Sequence, residues 1–136
     1  LGGEAAFLGR AGRLFCGEPA GLRGRGLSRS GAFGETVGAA LLTKDGKMFT
    51  GVNVENSSYG ATICAERVAF TKAIAEGERE FDAIAIASTD GKGWPCGICR
   101  QFMYEFGPDL KVIVGPDAEH LEITTLSELL PKGFKF

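Results

Sequence analysis

The sequence predicts an α/β fold, a three-layer α/β/α sandwich built around a mixed sheet of about five strands. Three observations predict it: two apolar runs split by Asp45-Gly46, an unbroken apolar run at Ala83 to Ala87, and two helix-like stretches that alternate with short strand-like ones. The chain of 136 residues is long enough for one domain with its own hydrophobic core.

Taken in order, Val37 to Thr43 and Met48 to Val54 flank Lys44-Asp45-Gly46-Lys47, and Asp-Gly favours the left-handed turn of a hairpin. Thr62 to Glu76 carries apolar residues at Ile63, Val68, Phe70 and Ile74 among good helix formers, with Gly77 as its stop. Ala83 to Ala87 reads as a strand covered on both faces. A glycine-containing loop, Thr89 to Trp94, leads to Pro95, which opens a second helix through Gly97 to Glu105, ended by Gly107-Pro108. Lys111 to Val114 is a further buried strand and Leu121 to Thr124 an edge strand. A short last helix, Thr125 to Leu130, stops at Pro131.

Residues 1–35 read differently from residues 36–136. They hold ten of the 21 glycines, five of the eight arginines and none of the seven lysines. Interior glycines each cost a helix about 1 kcal/mol relative to alanine, so the stretch reads as a poorly ordered, mildly basic segment preceding the folded domain. The abrupt change of residue usage at Thr36 would also follow from a frame-shifted or mis-joined coding start.

The composition, 44% hydrophobic and 24% charged, is that of an ordinary globular chain. A formal net charge of -2 argues against a partner gripped through its phosphates and for a small neutral substrate. No apolar run approaches the roughly 18 to 20 residues that span a bilayer. The first residues lack the order of a signal peptide, so no membrane partner is expected and a cytoplasmic location is the default.

Chemistry enters with the cysteines. Cys64, Cys96 and Cys99 form one constellation and Cys16 stands apart, a distribution that suits a metal better than a disulfide frame in a reducing compartment. Three thiolates leave one position of a tetrahedral Zn²⁺ open, and Glu66, two residues from the first ligand, is placed to move the protons of an attacking water. The thiolates bring charge that weakens the metal's pull on water. Arg67, one turn from Cys64, is the candidate to offset it, with Arg100 a weaker competitor. Two rival readings remain open at this level. One is a structural zinc closed by Cys16 or His120; the other is a redox pair at Cys96/Cys99, which leaves Cys64-Ala65-Glu66 unexplained.

Together, Val37-Gly38-Ala39-Ala40-Leu41-Leu42, Gly51-Val52-Asn53-Val54-Glu55-Asn56, Cys64-Ala65-Glu66-Arg67, Pro95-Cys96-Gly97-Ile98-Cys99-Arg100-Gln101 and Glu128-Leu129-Leu130-Pro131 resemble the small, homotetrameric cytidine deaminases of pyrimidine salvage. The resemblance runs from about Val37 to Phe134. It implies hydrolytic deamination of cytidine and deoxycytidine with release of ammonia, Cys64, Cys96 and Cys99 as zinc ligands, Glu66 as the catalytic acid and base, and Asn53 and Glu55 on the ribose hydroxyls. It also implies that Tyr59 and Phe134 approach a neighbouring subunit's site in a tetramer or dimer, and that main chain near Trp94 receives the base's amine. Trp94 is larger than the residues familiar at that place. A second departure lies upstream: Glu35 occupies the register of an aromatic that stacks on the pyrimidine, and Phe33 stands two residues earlier. Such a platform is worth about 1 to 3 kcal/mol. The alternatives in keeping with these departures are a deaminase of another aminopyrimidine nucleoside and a catalytically weak, zinc-bound assembly module.

Overall fold

A computed structural model of the chain describes residues 37–88, 93–116 and 119–136. The atypical segment 1–35, with Cys16, Phe33 and Glu35, and most of the loop after residue 88 lie outside the described residues. The elements run β1 (Val37–Thr43), β2 (Met48–Val52), a 3₁₀ turn (Tyr59–Ala61), α1 (Ala65–Ala75), β3 (Phe81–Ser88), α2 (Gly97–Tyr104), β4 (Lys111–Val114), β5 (Glu122–Thr125) and α3 (Leu126–Leu129).

The five strands form one mixed sheet in the order β2-β1-β3-β4-β5, as expected of an α/β sandwich. β1 is antiparallel to both β2 and β3, while β3 and β4 are parallel and β4 and β5 antiparallel. The predicted hairpin forms: Gly46 adopts the left-handed φ of 91°, and Thr43 N–H donates to Lys47 C=O at 2.9 Å across the turn. Because β1 opposes both neighbours, β2 and β3 point the same way, and their carboxyl ends share one edge of the sheet.

That arrangement positions two helices. Strands two places apart are separated by about 9.5 Å, which matches the 8–10 Å spacing of packed helices. α1 lies against β1 and β2, and α2 contacts α1. The core of this face contains Ala39, Leu41, Ile84, Ile86, Val112 and Val114 from the sheet and Ala65, Ala69, Ala73, Cys99 and Met103 from the helices. Phe70, Phe81, Phe102 and Phe106 close it, with ring centroids 4.7 to 6.2 Å apart. Strand alternation sends Ala40, Leu42, Ala83, Ala85 and Ile113 to the opposite face, where they too are buried. The Ala-Ile-Ala-Ile-Ala pattern therefore serves two cores.

Three of the differences from the sequence expectation bear on the site. The predicted helix from Thr62 begins at Ala65, because Ile63 and Val54 exchange backbone hydrogen bonds of 2.8 and 3.0 Å in an isolated bridge that keeps residues 62–64 extended. The same bridge takes Val54 out of β2, which stops at Val52. Pro95 stands one residue before the N-cap of α2 and is not in its first turn, since Cys96 is the cap, with φ -67° and ψ 167°. At α3 the prediction holds, with a reciprocal capping box between Thr125 and Glu128.

Gly51 sets the distance between α1 and the sheet. A Cβ there would fall 2.3 Å from Ala65 O and 2.6 Å from Ala69 N, so the helix backbone rests directly on the strand. Alanines 65, 69 and 73 are spaced four apart on this face, which keeps the approach close. Gly51→Ala is expected to push α1 outward and destabilise the protein by about 1 to 3 kcal/mol in denaturant unfolding. An unchanged midpoint would show that the contact is softer than its geometry.

Candidate active site

Both helix N-termini emerge at the shared edge of the sheet, and each is capped by a cysteine. Cys64 is the N-cap of α1 and Cys96 that of α2, neither side chain being spent on the backbone N–H groups it precedes. Cys99 lies in the first turn of α2, fully buried. The three sulfurs converge to within 4.8 Å of one another, with Cys64 Sγ 3.8 Å from Cys96 Sγ. Four ligands about 2.3 Å from a tetrahedral Zn²⁺ stand roughly 3.8 Å apart, so the pair already has the spacing of two zinc thiolates. The free N–H groups and positive ends of two helices favour the thiolate form that a metal requires.

Electrostatics within the cluster follow from this crowding. The Cys64 thiol is drawn down to about 5, first by hydrogen bonding with Cys99 and then by Arg67 and Cys96, against the opposing effect of burial. Cys99 moves the other way, pushed up by its hydrogen bond to Cys64 and by its own burial. Arg67 Nη2 stands 3.8 Å from Cys64 Sγ and 3.4 Å from Thr62 C=O. Arg100 faces away: its Nε donates to Pro95 C=O at 2.8 Å and its Nη1 to Leu129 C=O at 2.9 Å. Of the two arginines, Arg67 is the one whose guanidinium stands beside a cluster sulfur.

Glu66 is 4% exposed, and its Oε2 is buried with no hydrogen-bond partner. An orphaned carboxylate oxygen beside converging thiols offers a free acceptor for a water on a thiolate-held cation, so the donor set fits zinc. Burial, reinforced by the nearby Cys64 charge, pushes the Glu66 carboxyl up to about 7. Among the described residues no other group of three or more Cys, His, Asp or Glu could hold a metal. Among the described residues His120 is exposed and does not join the thiols, and Cys16 lies outside them.

Asn53 and Glu55 follow β2 at the same edge. Val37 N–H donates to Asn53 Oδ1 at 3.0 Å, and Asn53 Nδ2 donates to Glu55 Oε1 at 3.2 Å, which holds amide and carboxylate together. Tyr59 and Phe134 stand on the surface, 82% and 63% exposed, and Trp94 is 41% exposed. The two carbonyl contacts of Arg100 were not foreseen, since no local pattern announces a bond to a residue 29 positions away.

A Cys₃ cluster and a buried acid at two helix N-termini define a metal-centred hydrolytic site. The chain belongs to the cytidine and deoxycytidylate deaminase family: residues 28–115 match the model of that family's zinc-binding region. It is 57% identical over 100 residues to a probable cytidine deaminase of Dictyostelium discoideum, covering 72% of this chain and 67% of the relative. A cytidine deaminase of Halalkalibacterium halodurans is 52% identical over 72% of this chain and 76% of its own. Among solved structures, the cytidine deaminase of Burkholderia pseudomallei superimposes with a TM-score of 0.77 at 41% identity, covering 95% of this chain and 98% of that one.

Glu66 gives metal-free protein a pH signature. Its carboxyl binds a proton more tightly folded, at about 7, than at the ordinary 4.5, so stability is lost as pH rises through that window. Relative to Glu66→Gln, the metal-stripped parent is expected to lose about 1 to 3 kcal/mol between pH 4.5 and 8 in denaturant titrations. Parallel pH profiles for the two proteins would mean that Glu66 is solvated.

Proposed function

We propose that the chain catalyses hydrolytic deamination of cytidine and deoxycytidine, using Cys64, Cys96 and Cys99 to hold zinc and Glu66 to carry protons. The observation that carries this reading is the meeting, at two helix N-termini, of three thiols with a buried carboxylate one of whose oxygens has no hydrogen-bond partner. A zinc ion held there supplies Lewis acidity that makes water a nucleophile near neutral pH. Glu66 takes a proton from the attacking water and delivers protons to the ring nitrogen and to the departing amine, so that nucleoside and water yield the uracil nucleoside and ammonia. Its elevated affinity for a proton suits a group that must both accept and release one. Arg67 hydrogen-bonds the Cys64 sulfur and draws off part of the thiolate charge, which keeps the metal electrophilic.

Asn53 and Glu55 form the ribose end of the pocket. Each can pair with a diol, and their mutual hydrogen bond orients both. The exposed rings of Tyr59 and Phe134 close the site of a neighbouring chain in a homotetramer, which would give apolar surface on single chains a partner. Among the described residues no helix is long and apolar enough to cross a membrane. A cytoplasmic location suits three cysteines that must stay reduced to bind metal.

The test is the loss of cytidine absorbance in the ultraviolet with zinc-loaded protein. Turnover is expected, and Glu66→Gln should lower kcat by roughly 10²–10⁴-fold while keeping one zinc per chain. A parent that holds zinc and shows no turnover would shift the reading to a catalytically weak assembly module.

Asn53→Ala and Glu55→Ala are expected to raise KM, the first by about 2- to 10-fold for a neutral hydrogen bond to the sugar worth roughly 0.5 to 1.5 kcal/mol, the second by about 10-fold or more for a charge-assisted one worth roughly 1.5 to 3 kcal/mol. Both should leave zinc content unchanged. An unaltered KM would remove these residues from the ribose site.

A further inference from the structure

The two contacts of Arg100 have no part in the chemistry described so far, yet they join regions that are distant in sequence. Pro95 is fully buried and its carbonyl immediately precedes Cys96, the exposed ligand of the cluster. Arg100 Nε holds that carbonyl at 2.8 Å, which fixes the peptide plane from which Cys96 projects. The same guanidinium reaches Leu129 C=O at 2.9 Å, an acceptor at the carboxyl end of α3, where helix carbonyls lack internal partners. Only a planar fork donates in two fixed directions from one side chain.

The chain beyond Leu129 is folded back onto α2. Gly133 N–H donates to Leu130 C=O at 3.2 Å, closing a tight turn in which Lys132 takes a left-handed φ of 57°. Glycine would suit position 132 better, but the glycine is needed one residue later. A Cβ on Gly133 would lie 2.9 Å from both the Tyr104 ring and the Leu130 side chain. Gln101 Nε2 then donates to Phe134 C=O at 2.9 Å. Consecutive residues of α2, one and two places after Cys99, therefore grip the C-terminal segment at two points.

We infer that Arg100 is a positioning residue that locks the Pro95–Cys99 turn to the C-terminal segment, so that two of the three metal-binding thiols are held in place from outside the cluster. This rests on the reading of Cys64, Cys96 and Cys99 as zinc ligands. Arg100 touches neither metal nor substrate; it acts through the Pro95 carbonyl. The Gln101 side chain reaches only the far end of the tail.

Zinc release into a chromogenic chelator separates these roles. In zinc-loaded protein, Arg100→Ala is expected to release the metal about 10-fold faster than the parent, in keeping with the usual effect of removing support for a ligand. Gln101→Leu should stay within about 2-fold of the parent, although both variants lose a contact to the tail. If Arg100→Ala fails to fold, Arg100→Lys carries the same test, because a single ammonium cannot serve both carbonyls; release at least about 3-fold faster is expected. Release at the parent's rate from folded Arg100→Ala or, failing that variant, from Arg100→Lys would overturn the inference. So would equal acceleration in Gln101→Leu, which would mark a general loosening of the C-terminal end. A parent that binds no zinc would overturn the functional reading and this inference together.

Discussion

The site depends on one close contact, that of α1 with β2 at Gly51. A helix normally stands off a sheet by the length of its side chains, but here backbone meets backbone, with Ala65 and Ala69 directly over the strand. Cys64 and Glu66 are the immediate neighbours of Ala65. Their positions relative to the end of β2 are set by hard contacts and not by flexible side chains. α2 is then placed by the strand spacing, since β1 separates β2 from β3 by the distance at which two helices pack. Packed interiors transmit small displacements, so a shift of α1 would move one thiol relative to the other two.

What this frame achieves electrostatically is the gathering of negative groups in a place where they would otherwise repel. Three cysteines and a glutamate crowd together, Cys99 and Glu66 buried, Cys64 half-buried and Cys96 exposed, and among the described residues Arg67 brings the opposite charge beside them. Cys64 is driven toward its thiolate by its hydrogen-bond partners, while crowding and burial drive Cys99 and Glu66 toward their neutral forms. A divalent cation resolves the same conflict more completely. The two helix N-termini contribute fixed positive ends that need no reorganisation, the kind of preorganisation that makes electrostatic stabilisation effective.

Much of this was legible in the chain, and the reason is local. The hairpin needs only Asp45-Gly46, the buried strand only its Ala-Ile alternation, and the metal-binding residues lie in two short runs whose helix starts are readable. The errors at Thr62 and Pro95 have separate causes. Ile63 belongs to a bridge with Val54, so tertiary pairing overrides the helical pattern before Cys64, whereas at α2 Cys96 takes the extended backbone of a cap and leaves Pro95 outside the helix. Thr125-Leu126-Ser127-Glu128 has the spacing of a capping box and could have fixed the start of α3 from sequence. The bond from Arg100 to Leu129 had no such signal. Main-chain acceptors are identical at every residue, and only the fold decides which one a side chain meets.

The cluster and the surface around it are finished to different degrees. Cys99, Glu66 and Pro95 are buried within one chain, so the machinery proposed for proton transfer is enclosed without help. The residues proposed to contact the nucleoside are less covered. Asn53 and Glu55 are half-buried, and Tyr59, Phe134 and Trp94 present their rings to solvent. Charge interactions of several kcal/mol in a dry pocket fall severalfold in an open one, because water screens them. On the proposed reading, a single chain therefore holds metal and proton carrier in working order, while the strength of its catalysis depends on what covers those rings. Zinc affinity and turnover should respond to different parts of the molecule, the first to the packing of α1 and α2 and the second also to the enclosure of the outer pocket.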